Sequence, residues 1–274
     1  MTARILITGA AGGVGTLMRP RLAAPDRVLR LLDIAEMPPA APGERVELVT
    51  ASVTDQAAME AACEGVDAVI HLGGHSLERP WAQILDVNID GTHTVLEAAR
   101  RRGVGRVVLA SSNHAVGFHP RSRGEAGDYL FPRPDSYYGV SKVAMEALGS
   151  MYSSRYGLDV IAVRIGSCFE KPRDTRMLST WLSPDDGARL FEACLSAPSP
   201  GFRVVWGVSD NTRRWFSLDE ARALGYAPED DSEVFAAELI AEQGEPDPES
   251  LAHKHVGGLW CGPEFDTAVQ EAGR

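Results

Sequence analysis

The sequence predicts an α/β chain built on a doubly wound parallel sheet, with a small lobe at its C-terminal end. Three observations carry that prediction. Short apolar runs alternate with helix-like stretches from residue 4 to residue 165. The runs are apolar at successive positions, as strands buried on both faces must be. The first of them ends on a glycine cluster that opens a helix.

Taken in order, residues 4–8 read as a strand ending at Gly9, and 13–23 as a helix. Residues 27–32 form a second strand closing on Asp33. The three prolines and one glycine of 37–43 make a loop. Residues 45–49 are a third strand and 55–63 a helix. A fourth strand covers 67–72, a long helix 81–102 and a fifth strand 106–110. The Gly, Pro and Arg content of 117–135 predicts a loop, before a helix over 137–156 and a sixth strand at 159–165. Beyond that point the alternation weakens: 167–183 looks irregular, 184–196 helical and 203–208 strand-like. The division expected is a core over 1–166, with a substrate-binding lobe and C-terminal segment over 167–274.

Composition narrows the function. The 274 residues carry a net charge of −11, which gives no basic face for nucleic acid. Residues 229–249 hold nine carboxylates and no Lys or Arg, a pattern read as a solvated surface segment. No apolar run is long enough to span a bilayer. The N-terminus enters a strand at once, so no targeting segment is expected. Cys63, Cys168, Cys194 and Cys261 form no CxxC pair, consistent with reduced thiols in the cytoplasm. No metal is expected. His253 and His255 lack a third ligand nearby and read as a solvated pair.

The motifs point to dinucleotide chemistry. Gly9, Gly12, Gly13, Val14 and Gly15 follow the first strand and open the first helix, where glycines let a pyrophosphate approach backbone N–H groups. Asp33, at the end of the second strand, is placed to accept hydrogen bonds from a ribose and to repel a 2′-phosphate. That favours NAD over NADP; the alternative is an aspartate that merely starts a turn. Tyr138 and Lys142 lie four residues apart, on one face of a helix. A phenol beside an ammonium is expected to titrate below its usual ~10 and to act as a general base toward an alcohol. Ser111 and Ser112 lie just past the fifth strand, at the carboxyl edge of the sheet, where the Ser112 hydroxyl can bond the reacting oxygen.

The order of these elements resembles the extended short-chain dehydrogenase/reductases of the NAD-dependent epimerase/dehydratase group, a Rossmann fold. The resemblance runs over residues 3–228. It includes Thr8-Gly9-Ala10-Ala11-Gly12, His71-Leu72-Gly73-Gly74, Asn88-Ile89-Asp90-Gly91-Thr92, Ser112, Tyr138 with Lys142, and Leu224-Gly225-Tyr226-Ala227-Pro228. Four segments are similar to the uronate dehydrogenase family. They are Leu72-Gly73-Gly74-His75-Ser76, Ala110-Ser111-Ser112-Asn113-His114, Arg164-Ile165-Gly166-Ser167-Cys168 and Arg176-Met177-Leu178-Ser179-Thr180-Trp181.

That resemblance implies oxidation of C1 of cyclic D-glucuronate or D-galacturonate by NAD, giving an aldarolactone. Ser112, Tyr138 and Lys142 would be catalytic. Ser76, Ser112, Asn113, His114 and Ser167 would read hydroxyls, with Tyr138 at the sugar. Arg176 would hold the carboxylate, and Trp260 would bring an aromatic ring near the sugar. Ile34, Val53, Leu72, Gly73, Gly74, Asn88, Ala110, Ile165 and Cys168 would line the cofactor site with the glycine turn. The family's adenine-binding Asp is replaced here by Ser52. A homo-oligomer through helices 81–102 and 137–156 is inherited from the same resemblance. From the residues alone, Arg176 can equally pair with Asp174 or Asp185. The competing enzyme reading is a nucleotide-sugar epimerase or dehydratase with tightly bound NAD; the short chain after residue 166 argues for a free sugar.

Overall fold

The computed structural model describes residues 3–265. Its centre is a seven-stranded, all-parallel sheet. The first half of the chain supplies β1 (Ala3–Thr8), helix α1 (Gly13–Arg21), β2 (Arg27–Asp33), β3 (Val46–Thr50), α2 (Gln56–Ala62) and β4 (Ala68–His71). Next come α3 (Trp81–Gln83), a π-helical stretch Ile84–Asp90, α4 (Gly91–Arg101) and β5 (Arg106–Ser112). Helix α5 (Tyr137–Tyr156) and β6 (Asp159–Ile165) follow. The order across the sheet is β3-β2-β1-β4-β5-β6, then β9 (Phe202–Gly207) at the far edge. The order therefore reverses between β1 and β4, the switch point at which such sheets bind ligands.

Alternate strand residues feed two cores. Ile5, Ile7, Leu29, Leu31, Ile70, Ile161, Val163 and Val205 pack with Met18 of α1 on one face. Leu6, Leu32, Val69, Val107, Leu109 and Val160 pack with Met59, Val95 and Met145 on the other. Each face loses its apolar side chains from water, which is why these strands read as continuous apolar runs.

Residues 167–183 are more ordered than their composition suggests. A two-stranded parallel pair, β7 (Ser167–Cys168) with β8 (Trp181–Leu182), brackets the short helix α6 (Met177–Thr180). A side chain at Gly166 would overlap the Thr180 carbonyl, so the turn depends on that glycine. Helix α7 (Pro184–Ser196) then packs beside α1. Helices α8 (Asp219–Ala223) and α9 (Ala236–Gln243) come later.

The acidic run is not simply solvated. Glu229 and Asp230 pair with Arg189, and Glu233 pairs with Arg213. Asp231 instead accepts from Thr212 and from Glu233 N–H, and the later carboxylates form no described ion pair. His253 and His255 also depart from expectation. His253 is buried against Thr175, and Phe118 stands edge-on to the His255 ring. No described helix is long and apolar enough to cross a membrane. No group of three His, Cys, Asp or Glu suited to a metal occurs among the described residues.

Candidate active site

A cleft of about 720 Å³ opens over the carboxyl ends of β1, β4, β5 and β6. That lies within the ~300–1,000 Å³ range of small-molecule sites. Its floor at one end is the turn after β1. Gly9 has φ +69°, and a β-carbon there would meet the Gly73 nitrogen at 2.6 Å. One at Gly15 would meet the Ala10 carbonyl at 2.6 Å. These two glycines serve the fold. Gly13 differs, since a β-carbon there would meet nothing within 4 Å and would project into open space. An uncluttered helix N-terminus of this kind suits a pyrophosphate, so the residues fit a dinucleotide.

Asp33 lines the same end. Its carboxylate accepts from the Ala11 and Ala35 backbone N–H groups at 2.9 and 3.0 Å, which fixes its direction and leaves lone pairs for a ribose. Arg30 turns away: it bonds Glu47 and the carbonyls of Ala62 and Glu64. Among the described residues, the only Arg or Lys side chains on the cleft are Lys142 and Arg176. Ser52 and Val53 lie on the adjoining wall, with the Ser52 hydroxyl engaged by Thr54 at 2.9 Å.

Ile34, Leu72, Gly73, Gly74, Ala110 and Ile165 line the cleft. Asn88 and Cys168 do not. The Asn88 amide lies behind the wall, accepting from His75 N at 2.8 Å and donating to His75 O and Ser141 Oγ. It shapes the loop from a distance, and the π-helical turn is what aims it there. Cys168 is buried in the β7–β8 pair, with its thiol pushed up to about 12 by burial.

The reactive end is built by β5 and α5. Ser112 closes β5, opposite Ile165 of β6, and its hydroxyl accepts from His114 N at 3.3 Å. Ser111 points the other way, as alternation along a strand requires. It bonds Glu146, which Arg164 grips through both oxygens. Ser136 caps α5 through Gly139 N, while Glu78 accepts from the N–H groups of Tyr137 and Tyr138 at 3.0 and 2.7 Å. The first turn of α5 is thereby satisfied and its tyrosine held.

The Lys142 ammonium bonds the Ala110 carbonyl at 2.7 Å and lies 5.3 Å from the centre of the Tyr138 ring. The expected acidification of Tyr138 is not what the surrounding residues produce. Burial pushes the phenol up to about 12, with Ser112 pulling it back only in part. Burial likewise takes Lys142 down to about 8 against the opposing pull of Glu146. Helical spacing predicts that the two groups are neighbours; it does not reveal that both are out of water, which disfavours either charge.

The sugar end is formed by later segments. Ser76, Asn113, His114, Ser167, Arg176 and Trp260 all reach the cleft. The Asn113 amide and the Arg176 guanidinium both donate to the Val256 carbonyl, at 3.0 and 2.6 Å. His114 stacks on Trp260 with ring centres 3.9 Å apart. Arg176 pairs with neither sequence candidate: Asp185 is taken by Arg21, and Asp174 accepts from Met177 N. No described carboxylate forms an ion pair with it, and burial lowers its pKa. Phe169 and Met177 complete this wall. Neither these nor Glu78 carries a sequence signal, since each acts through a contact made only on folding.

The fold, glycine turn and Tyr/Lys helix define a dinucleotide-dependent enzyme, and the chain belongs to the NAD dependent epimerase/dehydratase family, whose pattern matches residues 5–217. Within it, the chain is 48% identical over 258 residues to a uronate dehydrogenase of Pseudomonas syringae pv. tomato, covering 94% of this chain and 92% of that protein. Two solved structures are similar. A mutant uronate dehydrogenase from Agrobacterium tumefaciens complexed with NAD superposes with a TM-score of 0.88 at 42% identity, covering 94% and 97% of the two chains. Glucuronic acid dehydrogenase from Chromohalobacter salexigens gives 0.90 at 42%, covering 97% and 99%.

Proposed function

We infer that this chain is an NAD-dependent uronate dehydrogenase. It oxidises C1 of a cyclic hexuronic acid, D-glucuronate or D-galacturonate, to the aldarolactone. One observation carries the substrate class: Arg176 is a half-buried guanidinium on the cleft wall with no carboxylate of its own among the described residues. Such a group needs an anion, and its fork matches a carboxylate.

The glycine turn, Asp33 and the wall from Leu72 to Gly74 would hold the dinucleotide. A bound NAD would supply the acceptor for the hydride that leaves C1. Tyr138 takes the C1 hydroxyl proton as the carbonyl forms. Ser112 steadies that oxygen, and Lys142 compensates the phenolate charge across the ring face. Asn113, His114, Ser76 and Ser167 read the sugar hydroxyls, Trp260 covers them, and Arg176 fixes the far end. The exposed Leu85, Val140 and Met151 on the outer helices support a homo-oligomer, which sedimentation would test.

The deciding assay follows NADH absorbance with uronates, neutral hexoses and UDP-sugars. NADH released with free uronates, and little with the others, is the expected result. Turnover of UDP-sugars without net NADH would replace this reading with the epimerase one.

A further inference from the structure

Three segments converge on a carboxylate to which the proposed reaction gives no part. Asp135 precedes the cap of α5, and its side chain is wholly buried. One oxygen accepts from His114 Nδ1 at 2.7 Å, the other from the Ser136 hydroxyl at 2.9 Å. Three glycines make room for it. A β-carbon at Gly117 or Gly257 would overlap Oδ2, and one at Gly139 would come within 3.2 Å of Oδ1. These glycines belong to the loop after β5, the C-terminal segment and the first turn of α5. The first two are joined directly, Gly257 N donating to Gly117 O at 2.9 Å.

The imidazole that Asp135 holds is fixed on its other sides too. Trp260 stacks on it, and Tyr138 stands edge-on with ring centres 5.8 Å apart. An anion at Nδ1 keeps the proton on that nitrogen. In the neutral ring Nε2 then carries a lone pair and no hydrogen. Among the described residues nothing hydrogen-bonds Nε2. Such an atom accepts from a sugar hydroxyl and repels a carboxylate, whereas Arg176 can only donate.

We propose that Asp135 is a positioning residue that locks His114 as a hydrogen-bond acceptor, and that this lock, opposed by Arg176, decides which end of the sugar acid faces Tyr138. The proposal rests on the uronate reading of the cleft. The carboxylate is steered to Arg176 by attraction there and by repulsion from the Nε2 lone pair of His114. Discrimination by an unfavourable wrong pose is a general device of specific sites.

The first test needs no turnover. Nitrogen-15 NMR of the full chain with labelled histidine, at a pH well above the ~6.5 of free imidazole, reports each ring's tautomer. The His114 signal is identified by its loss in His114→Asn. A proton on Nδ1 is expected, moving toward Nε2 in the near-isosteric Asp135→Asn. A wild-type ring protonated on Nε2 overturns the proposal even if uronate oxidation is confirmed. The second test is kinetic. In Asp135→Asn reversed binding becomes possible and unproductive, so kcat and KM for glucuronate fall together severalfold. A raised KM with unchanged kcat, or a lowered Tm with both constants unchanged, would reduce Asp135 to affinity or scaffold and overturn the orienting role. Failure of the wild type to oxidise any uronate would strike the proposed function instead, leaving the NMR result to judge the lock.

Discussion

Replacing Arg176 with alanine removes the guanidinium on the sugar side of the cleft while leaving Ser112, Tyr138 and Lys142 in place. Truncating one partner of a buried charge pair costs roughly 2–5 kcal/mol. At ~1.4 kcal/mol per tenfold, kcat/KM for glucuronate should fall by roughly 30- to 4,000-fold. The structure favours the upper part of that range. Among the described residues Arg176 bonds only a backbone carbonyl, and Asp135 and Asp174 lie near enough to influence it. Without the guanidinium those carboxylates repel the incoming anion. Glucose, which has no carboxylate, should lose little. The assay is initial-rate NADH formation for glucuronate and glucose with wild type, Arg176→Ala and Arg176→Lys. Lysine restores the charge without the planar fork, so partial recovery is expected. Equal losses for both sugars, or none for either, would refute the assignment.

Other outcomes follow from the same geometry. Lys142 lies near 8 and Tyr138 near 12, so the pair gives up its first proton as pH climbs through about 8. The singly protonated pair contains the phenolate–ammonium form, so kcat/KM taken on NAD should rise through that pH; Lys142→Met should move the rise upward, and an unmoved limb would remove Lys142 from the pair. Gly13→Ala should leave Tm unchanged yet weaken NAD binding in calorimetry, while Gly15→Ala, which meets a carbonyl at 2.6 Å, should cost about 1–3 kcal/mol of stability. Comparable effects at both positions would contradict the division between fold and cofactor. Asp33→Asn should narrow the gap between NAD and NADP in KM; a mutant that still rejects NADP equally would make Asp33 a turn residue.

Much of the architecture was legible in sequence because local pattern and burial coincide there. Strands buried on both faces must be apolar at every position, so β1, β4, β5 and β6 announce themselves. The glycine turn does too, because Gly9 and Gly15 are forced by backbone contacts. What escaped depends on distant partners. The π-helical turn at Ile84–Asp90 has no periodic signature distinguishing it from α-helix. The order in 167–183 comes from pairing β7 with β8 and from the room Gly166 leaves, neither visible in composition. Asn88 and Cys168 have the expected position in the chain, but their side chains are spent elsewhere. The charge state of Tyr138 was read from its neighbour in sequence, whereas burial sets it.

The groups that line the cleft are held against their charged forms. Burial lowers the pKa values of Arg176 and Lys142 and raises that of Tyr138, so each group resists the charge the reaction asks of it. The protein opposes this only in part. Glu146, one turn beyond Lys142 and gripped by Arg164, pulls the lysine back toward its charged form. Asp135 and Asp174 do the same for Arg176 from outside ion-pair reach. A sugar acid and a cationic dinucleotide ring carry the charges that complement these groups. Donors and acceptors fixed in a desolvated cleft need no reorganisation when those charges arrive, which is the condition for electrostatic catalysis. The cost of holding them unpaired falls on the folded state, and the bidentate Glu146–Arg164 pair, closed by Ser111, keeps α5 against β5 and β6 despite that cost.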